Sequence, residues 1–117
     1  MEITGQAVLL RVFIGESDKL GHRPLYEVIV REARDAGLAG ATVLKGVLGF
    51  GATARIHTTK ILDLSADLSV VVEIVDEESK VSAFQERLAD LFDEASCGGL
   101  VTLENIRVVR YVPQRLS

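Results

Sequence analysis

Two segments of the 117-residue chain have the pattern of β-strands that are apolar on both faces. Residues 6–14 read QAVLLRVFI, and residues 68–75 read LSVVVEIV. A strand with one face in water alternates apolar and polar residues, whereas a strand buried on both faces reads as a nearly continuous apolar run. We therefore expect both segments to lie in the middle of a sheet, which limits the possible folds more than any other feature.

Two other segments have the periodicity of amphipathic helices. Apolar residues recur at helical spacing over about 24–36 and again over about 77–95. We expect Asp76 to cap the second helix, because a side-chain oxygen before the first turn can accept a bond from an unpaired main-chain N–H group. Gly98 and Gly99 are expected to end that helix.

The order of the elements predicts the fold class. A second strand begins at Ala41 and reads ATVLKGVLG, and its lower apolar content is typical of an edge strand. A fourth strand lies within residues 100–112, with an interruption near Glu104 and Asn105. The order strand, helix, strand, strand, helix, strand is the split βαβ arrangement. We predict an α+β, ferredoxin-like βαββαβ sandwich, with a four-stranded antiparallel sheet and both helices on one face.

In this topology strands one and three form the centre of the sheet, in agreement with the two apolar segments. The length fits a single domain over residues 1–117.

The helices can cover only one face of the sheet, so Leu9, Phe13, Val71 and Val75 would form a bare apolar patch on the other. Self-association is the simplest way to cover that patch, and we expect a small homo-oligomer.

Composition excludes several classes of protein. A net charge of −4 and a pI near 5.1 argue against a nucleic-acid surface, which usually carries clustered lysine and arginine. No apolar run reaches the roughly 20 residues that span a bilayer, so we expect no membrane insertion. The single cysteine, Cys97, fits a reducing compartment and a cytoplasmic protein. Because no nucleophile stands in a catalytic motif or beside a base, we do not expect an enzyme.

The connection between the second and third strands is a candidate site. It spans about 16 residues, and connections beyond roughly 12–15 residues are often functional. In one interpretation Gly49 and Gly51 let the main chain approach an anion. The positive charge would then come from Arg55, His57 or Lys60. In the other, the segment is a long twisted hairpin and the glycines only form its bend. The pattern favours neither.

Most of the chain resembles a known family. The PII-like proteins catalogued as domain of unknown function 190 are similar to residues 10–51 (LRVFIGESDKLGHRPLYEVIVREARDAGLAGATVLKGVLGFG), 55–65 (RIHTTKILDLS) and 100–111 (LVTLENIRVVRY). The resemblance implies a ferredoxin-like protomer and a homotrimer. It also implies that residues 49–67 correspond to the T-loop, the segment through which PII signalling proteins bind effectors and contact partners.

The same resemblance implies a nucleotide site. In PII proteins a Gly-Phe-Gly sequence at the base of the T-loop contacts ATP or ADP between subunits, and Gly49, Phe50 and Gly51 resemble it. Thr42 resembles the strand-two threonine that contacts adenine, with one extra residue before the glycines. An adenine nucleotide (ATP, ADP or AMP) is therefore the implied effector.

Two other parts of the PII site are only partly matched. Gly98 and Gly99 resemble the second glycine loop, but no lysine follows them, which predicts weaker binding of phosphate. Arg107 and Arg110 resemble the arginines of the last PII strand, with a spacing of three residues where the family has two.

We therefore expect a PII-like regulatory protein that binds a small anionic effector in intersubunit clefts and signals through loop 49–67, to a membrane protein or another target. The alternative is a trimeric metal-binding protein of the related cation-tolerance architecture, or a small enzyme. In that case His57, Cys97 and acidic side chains would meet between subunits. Lys19 and His22, in an enlarged first connection, are candidates for a ligand site particular to this family.

Overall fold

The computed structural model describes residues 5–50, 57–58 and 68–113. The helices are α1 (Leu25–Asp35) and α2 (Glu78–Ala95), close to the predicted limits. The strands are β1 (Gly5–Gly15), β2 (Lys19–Leu20), β3 (Arg23–Pro24), β4 (Ala41–Lys45), β5 (Leu48–Gly49), β6 (His57–Thr58), β7 (Ser69–Asp76) and β8 (Leu100–Val108).

The four longest strands form one antiparallel sheet in the order β4-β7-β1-β8. β1 and β7 occupy the centre and β4 an edge, as the sequence predicts. Both helices pack on the same face of the sheet, so the predicted α+β ferredoxin-like sandwich is confirmed. The short strands pair as two hairpins outside this sheet, β2 with β3 and β5 with β6.

The core lies between the sheet and the helices. Alternate residues of β1 and β7 face the helices, because successive side chains of a strand point to opposite faces. Burial of a large aliphatic side chain stabilises a fold by roughly 1.5–3 kcal/mol. The side chains that are at most 2% exposed include Leu10, Val12, Leu25, Ile29, Val72, Ile74, Leu88 and Leu91.

The other face of the sheet, which we call the open face, carries neither of the two helices of the described chain. Strand register places Leu44, Val71, Phe13 and Leu100 in one row across all four strands, because directly paired residues of antiparallel strands share a face. Leu44 and Leu100, at the two ends of the row, are 50% and 58% exposed. The Phe13 and Val71 part of the predicted apolar patch therefore extends to both sheet edges, whereas the Arg11–Glu73 pair separates it from Leu9 and Val75.

A polar row crosses the open face beside the apolar one. Arg11 lies near its middle and forms ion pairs with Glu73 at 2.9 Å and with Glu104 at 3.2 Å. The hydrogen bond to Glu73 is the main reason why the pKa of the Arg11 guanidinium is raised above its ordinary value. The charged groups at the centre of this face are thus paired within one chain.

The interruption predicted in the fourth strand is wrong. β8 runs without a break through Glu104 and Asn105, which pair with Leu9 and Val8 of β1. Glutamate and asparagine have low β-propensity, but that preference depends on what the side chain meets across the strands. Here Glu104 meets the Arg11 guanidinium, so tertiary contacts override the local preference.

Asp76 does not cap α2, contrary to the prediction. The N-cap residue is Glu77, whose side chain makes no capping hydrogen bond. Asp76 is fully buried, and its carboxylate accepts hydrogen bonds from the N–H groups of Ala39 at 2.8 Å and Glu77 at 2.7 Å. It therefore joins the segment before β4 to the start of α2, and its burial is balanced by these two bonds.

The residue that ends α2 differs from the prediction. The helix ends at Ala95, as expected, but its C-cap is Ser96, which adopts the left-handed conformation with φ 52° before the two glycines are reached. Gly99 has a different role. A Cβ atom at this position would lie 2.8 Å from Phe92 Cε1 and 3.0 Å from the carbonyl oxygen of Phe13. A residue without a side chain is therefore needed where α2, β1 and β8 meet.

We predict that Gly99→Ala lowers the free energy of unfolding by about 1–3 kcal/mol, because the added methyl group overpacks this junction. The matched control is Gly40→Ala, since a Cβ atom at Gly40 would meet no atom of another described residue within 4 Å. That variant should stay within about 0.5 kcal/mol of the wild type or be slightly more stable. Chemical denaturation followed by circular dichroism measures both, and equal unfolding free energies would contradict the packing role of Gly99.

Candidate functional site

One groove on the open face contains two of the predicted site residues. Thr42, from β4, and Arg110, from the segment after β8, line the same depression of ≈ 400 Å³. We call it the open-face groove. Its other lining residues include Leu9, Glu73, Val75 and Tyr111.

Strand pairing explains one side of the groove. Thr42 pairs with Glu73, and Leu9 pairs with Val75, so these four side chains lie on the open face. Leu9 and Val75 supply an apolar floor. The Glu73 carboxylate is held by the Nε group of Arg11, and Thr42 places an exposed hydroxyl at the edge of the sheet.

The chain beyond β8 forms the other side. The Tyr111 hydroxyl donates a hydrogen bond of 3.0 Å to the carbonyl oxygen of Ala39, in the segment that leads into β4. Arg110 is exposed and makes no ion pair with any residue in the described part of the chain. An apolar floor with a hydroxyl on one side and an unpaired guanidinium on the other can hold a planar ring that carries an anionic group.

The predicted Gly-Phe-Gly element is described only in part. Gly49 pairs with His57, so the start of the segment is a hairpin, as one of the two interpretations predicts. Phe50 is 67% exposed. A Cβ atom at Gly49 would make only ordinary contact with Ser69 Oγ at 3.8 Å, so space alone does not require a glycine there. Gly51 and Arg55 lie outside the described residues.

The two glycine elements lie at different edges of the sheet in one chain. Gly98 and Gly99 lead into β8, whereas Gly49 follows β4, and these two strands are the opposite edges of the sheet. Close packing against Phe92 and Phe13 is enough to explain Gly99.

The two predicted arginines are also separated. Arg107 pairs with Gln6 on the face that carries the helices, and it lines a different depression, of ≈ 770 Å³, together with Glu78 and Asn105. Arg110 does not belong to the last strand, because β8 ends at Val108. Of the pair, only Arg110 joins Thr42.

Cys97 belongs to the alternative metal site, and Lys19 and His22 to the family-specific ligand site, that the sequence suggests. Burial, with the Asp18 carboxylate as a second cause, raises the pKa of the Cys97 thiol, whereas an activated cysteine needs a lowered one. Lys19 and His22 lie exposed in and beside the β2–β3 hairpin, away from the groove. Among the described residues, no group of three or more His, Cys, Asp and Glu side chains could hold a metal ion.

Sequence reasoning missed several groove residues. Leu9 and Val75 were expected only as part of the bare patch, and Glu73 and Tyr111 were not expected at all. Glu73 could have been placed on the open face because it alternates in β7 with Val71 and Val75, but no signal predicted the Tyr111 contact. In the described part of the chain, neither helix is long and apolar enough to span a membrane.

Comparison with known proteins identifies relatives along nearly the full chain. The family model DUF190, described as "Uncharacterized ACR", matches residues 7–108. A UPF0166 protein of Aquifex aeolicus (strain VF5) is 38% identical over 101 residues, which cover 86% of this chain and 91% of the relative. A UPF0166 protein of Methanocaldococcus jannaschii is 29% identical over 105 residues, which cover 90% of this chain and 94% of the relative.

Solved structures share the fold. CPII, a nitrogen regulatory PII-like protein from Thiomonas intermedia K12, was solved bound to ADP, AMP and bicarbonate. It superposes with a TM-score of 0.67 at 17% identity, over 94% of this chain and 92% of CPII. A candidate PII-like signalling protein from Thermus thermophilus gives a TM-score of 0.64 at 19% identity, over 90% of this chain and 91% of its own. The fold is PII-like, and the chain belongs to the DUF190 family.

Proposed function

We propose that the protein is a PII-like cytoplasmic regulator that binds an adenine nucleotide in the open-face groove and signals to a partner protein through loop 49–67. The observation that carries this proposal is that Thr42 and Arg110 line one groove although they are distant in sequence. The family resemblance relates the first to adenine and the second to the arginines of the last PII strand. The ADP and AMP bound by CPII support the same ligand class.

The chemistry of the groove fits this ligand. Leu9 and Val75 offer an apolar surface for the base, and the Thr42 hydroxyl can exchange a hydrogen bond with its edge. Arg110 can donate charge-assisted hydrogen bonds to phosphate, each worth roughly 1.5–3 kcal/mol. A volume of ≈ 400 Å³ lies within the range of about 300–1,000 Å³ that is common for small-molecule sites.

The affinity should be moderate. Gly98 and Gly99 are followed by Leu100 and Val101, so this loop offers phosphate no lysine. Loss of one charge-assisted contact costs about 1.4 kcal/mol or more, which is at least a tenfold loss of affinity. We therefore propose a dissociation constant in the micromolar range.

Assembly would complete the site. Gly49 and Phe50 follow one edge strand and Gly98 precedes the other, and we propose that a second copy brings the two elements together. The apolar row from Leu44 to Leu100 gives each copy a surface for that contact. We propose a homotrimer, in which each nucleotide lies between neighbouring subunits.

We predict that Val71→Asp dissociates the oligomer, because it puts an unpaired charge in the middle of the apolar row. Ser82→Asp is the control, since Ser82 is exposed on α2, which packs on the opposite face of the sheet. Light scattering should give three chains for the wild type and the control, and a smaller species or precipitate for Val71→Asp. A wild-type monomer at micromolar concentration would refute the assembly.

We predict that Arg110→Gln weakens the binding of ATP, ADP and AMP at least tenfold in isothermal titration calorimetry, because it removes a charge-assisted bond to phosphate. Thr42→Val should weaken binding about threefold, the effect of one neutral hydrogen bond. Arg107→Gln is the matched control. It removes the other arginine, which lies on the helix-covered face, and it should change the affinity less than about twofold.

Two results would contradict the proposed function. The first is that no nucleotide produces heat with the wild type up to millimolar concentration. The second is that Arg107→Gln and Arg110→Gln weaken binding equally, which would show only a general effect of charge. Heat on titration with Zn²⁺, together with no heat from nucleotides, would favour the alternative of a metal site between subunits.

A further inference from the structure

The segment after β8 is fastened to the rest of the described chain by a single side-chain hydrogen bond. Residues 109–113, which we call the C-terminal strap, run from the β8 edge to the far side of the groove, where the Tyr111 hydroxyl meets the Ala39 carbonyl oxygen at 3.0 Å. Val109 and Val112 are exposed. No main-chain hydrogen bond joins the strap to another described residue.

The main chain of Ala39, to which Tyr111 binds, is itself held in place. The N–H group of Ala39 donates to Asp76 Oδ2 at 2.8 Å, and the other oxygen of that carboxylate accepts from the Glu77 N–H group at 2.7 Å. Asp76 is fully buried. The peptide groups of Ala39 are therefore held from both sides, on one side by the end of β7 and the start of α2, and on the other by Tyr111.

Arg110 is the residue next to this anchor. Its guanidinium has no ion pair with a described residue, so the course of the strap, and no charged partner in the described chain, sets the region that the positive charge can reach. We propose that Tyr111 is a positioning residue, whose bond to Ala39 fastens the strap and thereby holds Arg110 at the groove opposite Thr42, where it meets the phosphate of a bound nucleotide. This inference rests on the proposed function. It names Tyr111 as the residue that orients the arginine in contact with the phosphate.

The physical reason is preorganisation. An arginine on an unfastened segment loses main-chain and side-chain freedom when it binds an anion, and that loss reduces the affinity. With the Tyr111 bond in place, part of the ordering has already occurred in the free protein. Removal of the bond should therefore weaken the binding of ligands that carry phosphate and leave the binding of other ligands unchanged.

The test compares Tyr111→Phe with Tyr26→Phe. These are the two tyrosines of the chain, and the Tyr26 hydroxyl makes no hydrogen bond with a described residue. Calorimetry with AMP should show a loss of about three- to tenfold for Tyr111→Phe and no change for Tyr26→Phe. Adenosine, which has no phosphate, should bind the wild type and both variants equally.

Two further measurements separate positioning from a merely structural role. In an Arg110→Gln background, Tyr111→Phe should have no additional effect on AMP binding, because the residue that it positions is already gone. Amide order parameters of residues 109–112 should fall from about 0.85 in the wild type to below about 0.6 in Tyr111→Phe.

Three outcomes would overturn the inference. Unchanged order parameters would show that the hydroxyl does not fasten the strap. An equal loss for AMP and adenosine would show that Tyr111 shapes the base site, and unchanged AMP binding would show that the strap does not matter to the ligand. If the wild type binds no nucleotide, the proposed function and the ligand role of Tyr111 both fail, while the order parameters still decide whether the bond fastens the strap.

Discussion

The structure depends on the pairing of β1 with β7. The two strands pair in antiparallel register from Val8 with Asp76 to Gly15 with Ser69, and each is flanked by a further strand. Their alternate residues form the sheet side of the core, so a shift of one residue would move that apolar set to the open face. The same register brings Leu9 beside Val75 and Glu73 beside Arg11, which creates the floor of the groove.

The open face combines features that a monomer rarely exposes. A row of apolar side chains reaches both sheet edges, while Arg11 and its two glutamates form a network beside it. A buried charge without a partner is costly, but these charges are already paired within one chain. A second copy could therefore cover the face without burying a lone arginine, and the groove at its margin would lie beside the contact.

Some parts of this structure follow from local pattern and others do not. The central position of the strands could be predicted because an apolar residue at nearly every position needs burial on both sides. The continuity of β8 could not, because Glu104 is retained in the strand by the Arg11 guanidinium, which belongs to a distant segment. Asp76 was misread for a similar reason, since its carboxylate accepts a hydrogen bond from the N–H group of Ala39, in a distant segment, as well as from that of Glu77.

The candidate site was predictable to a smaller extent than the fold. Thr42 and Arg110 were proposed through the family resemblance, and the structure brings them together, whereas it separates Arg110 from Arg107 by placing them at different depressions. Tyr111 gave no signal, because its partner is a main-chain carbonyl group and such a contact leaves no pattern in the side chains. A site built from both edges of a sheet depends on such hydrogen bonds between a side chain and a distant main-chain group.

A crystal structure of the protein grown with ADP would show directly whether the open-face groove holds the nucleotide. We expect the base over Leu9 and Val75, within reach of the Thr42 hydroxyl, with the phosphates at Arg110 and a neighbouring subunit beside them. A nucleotide bound at the depression around Arg107, or an empty groove at saturating ADP in crystals that leave it open, would rule out this binding site.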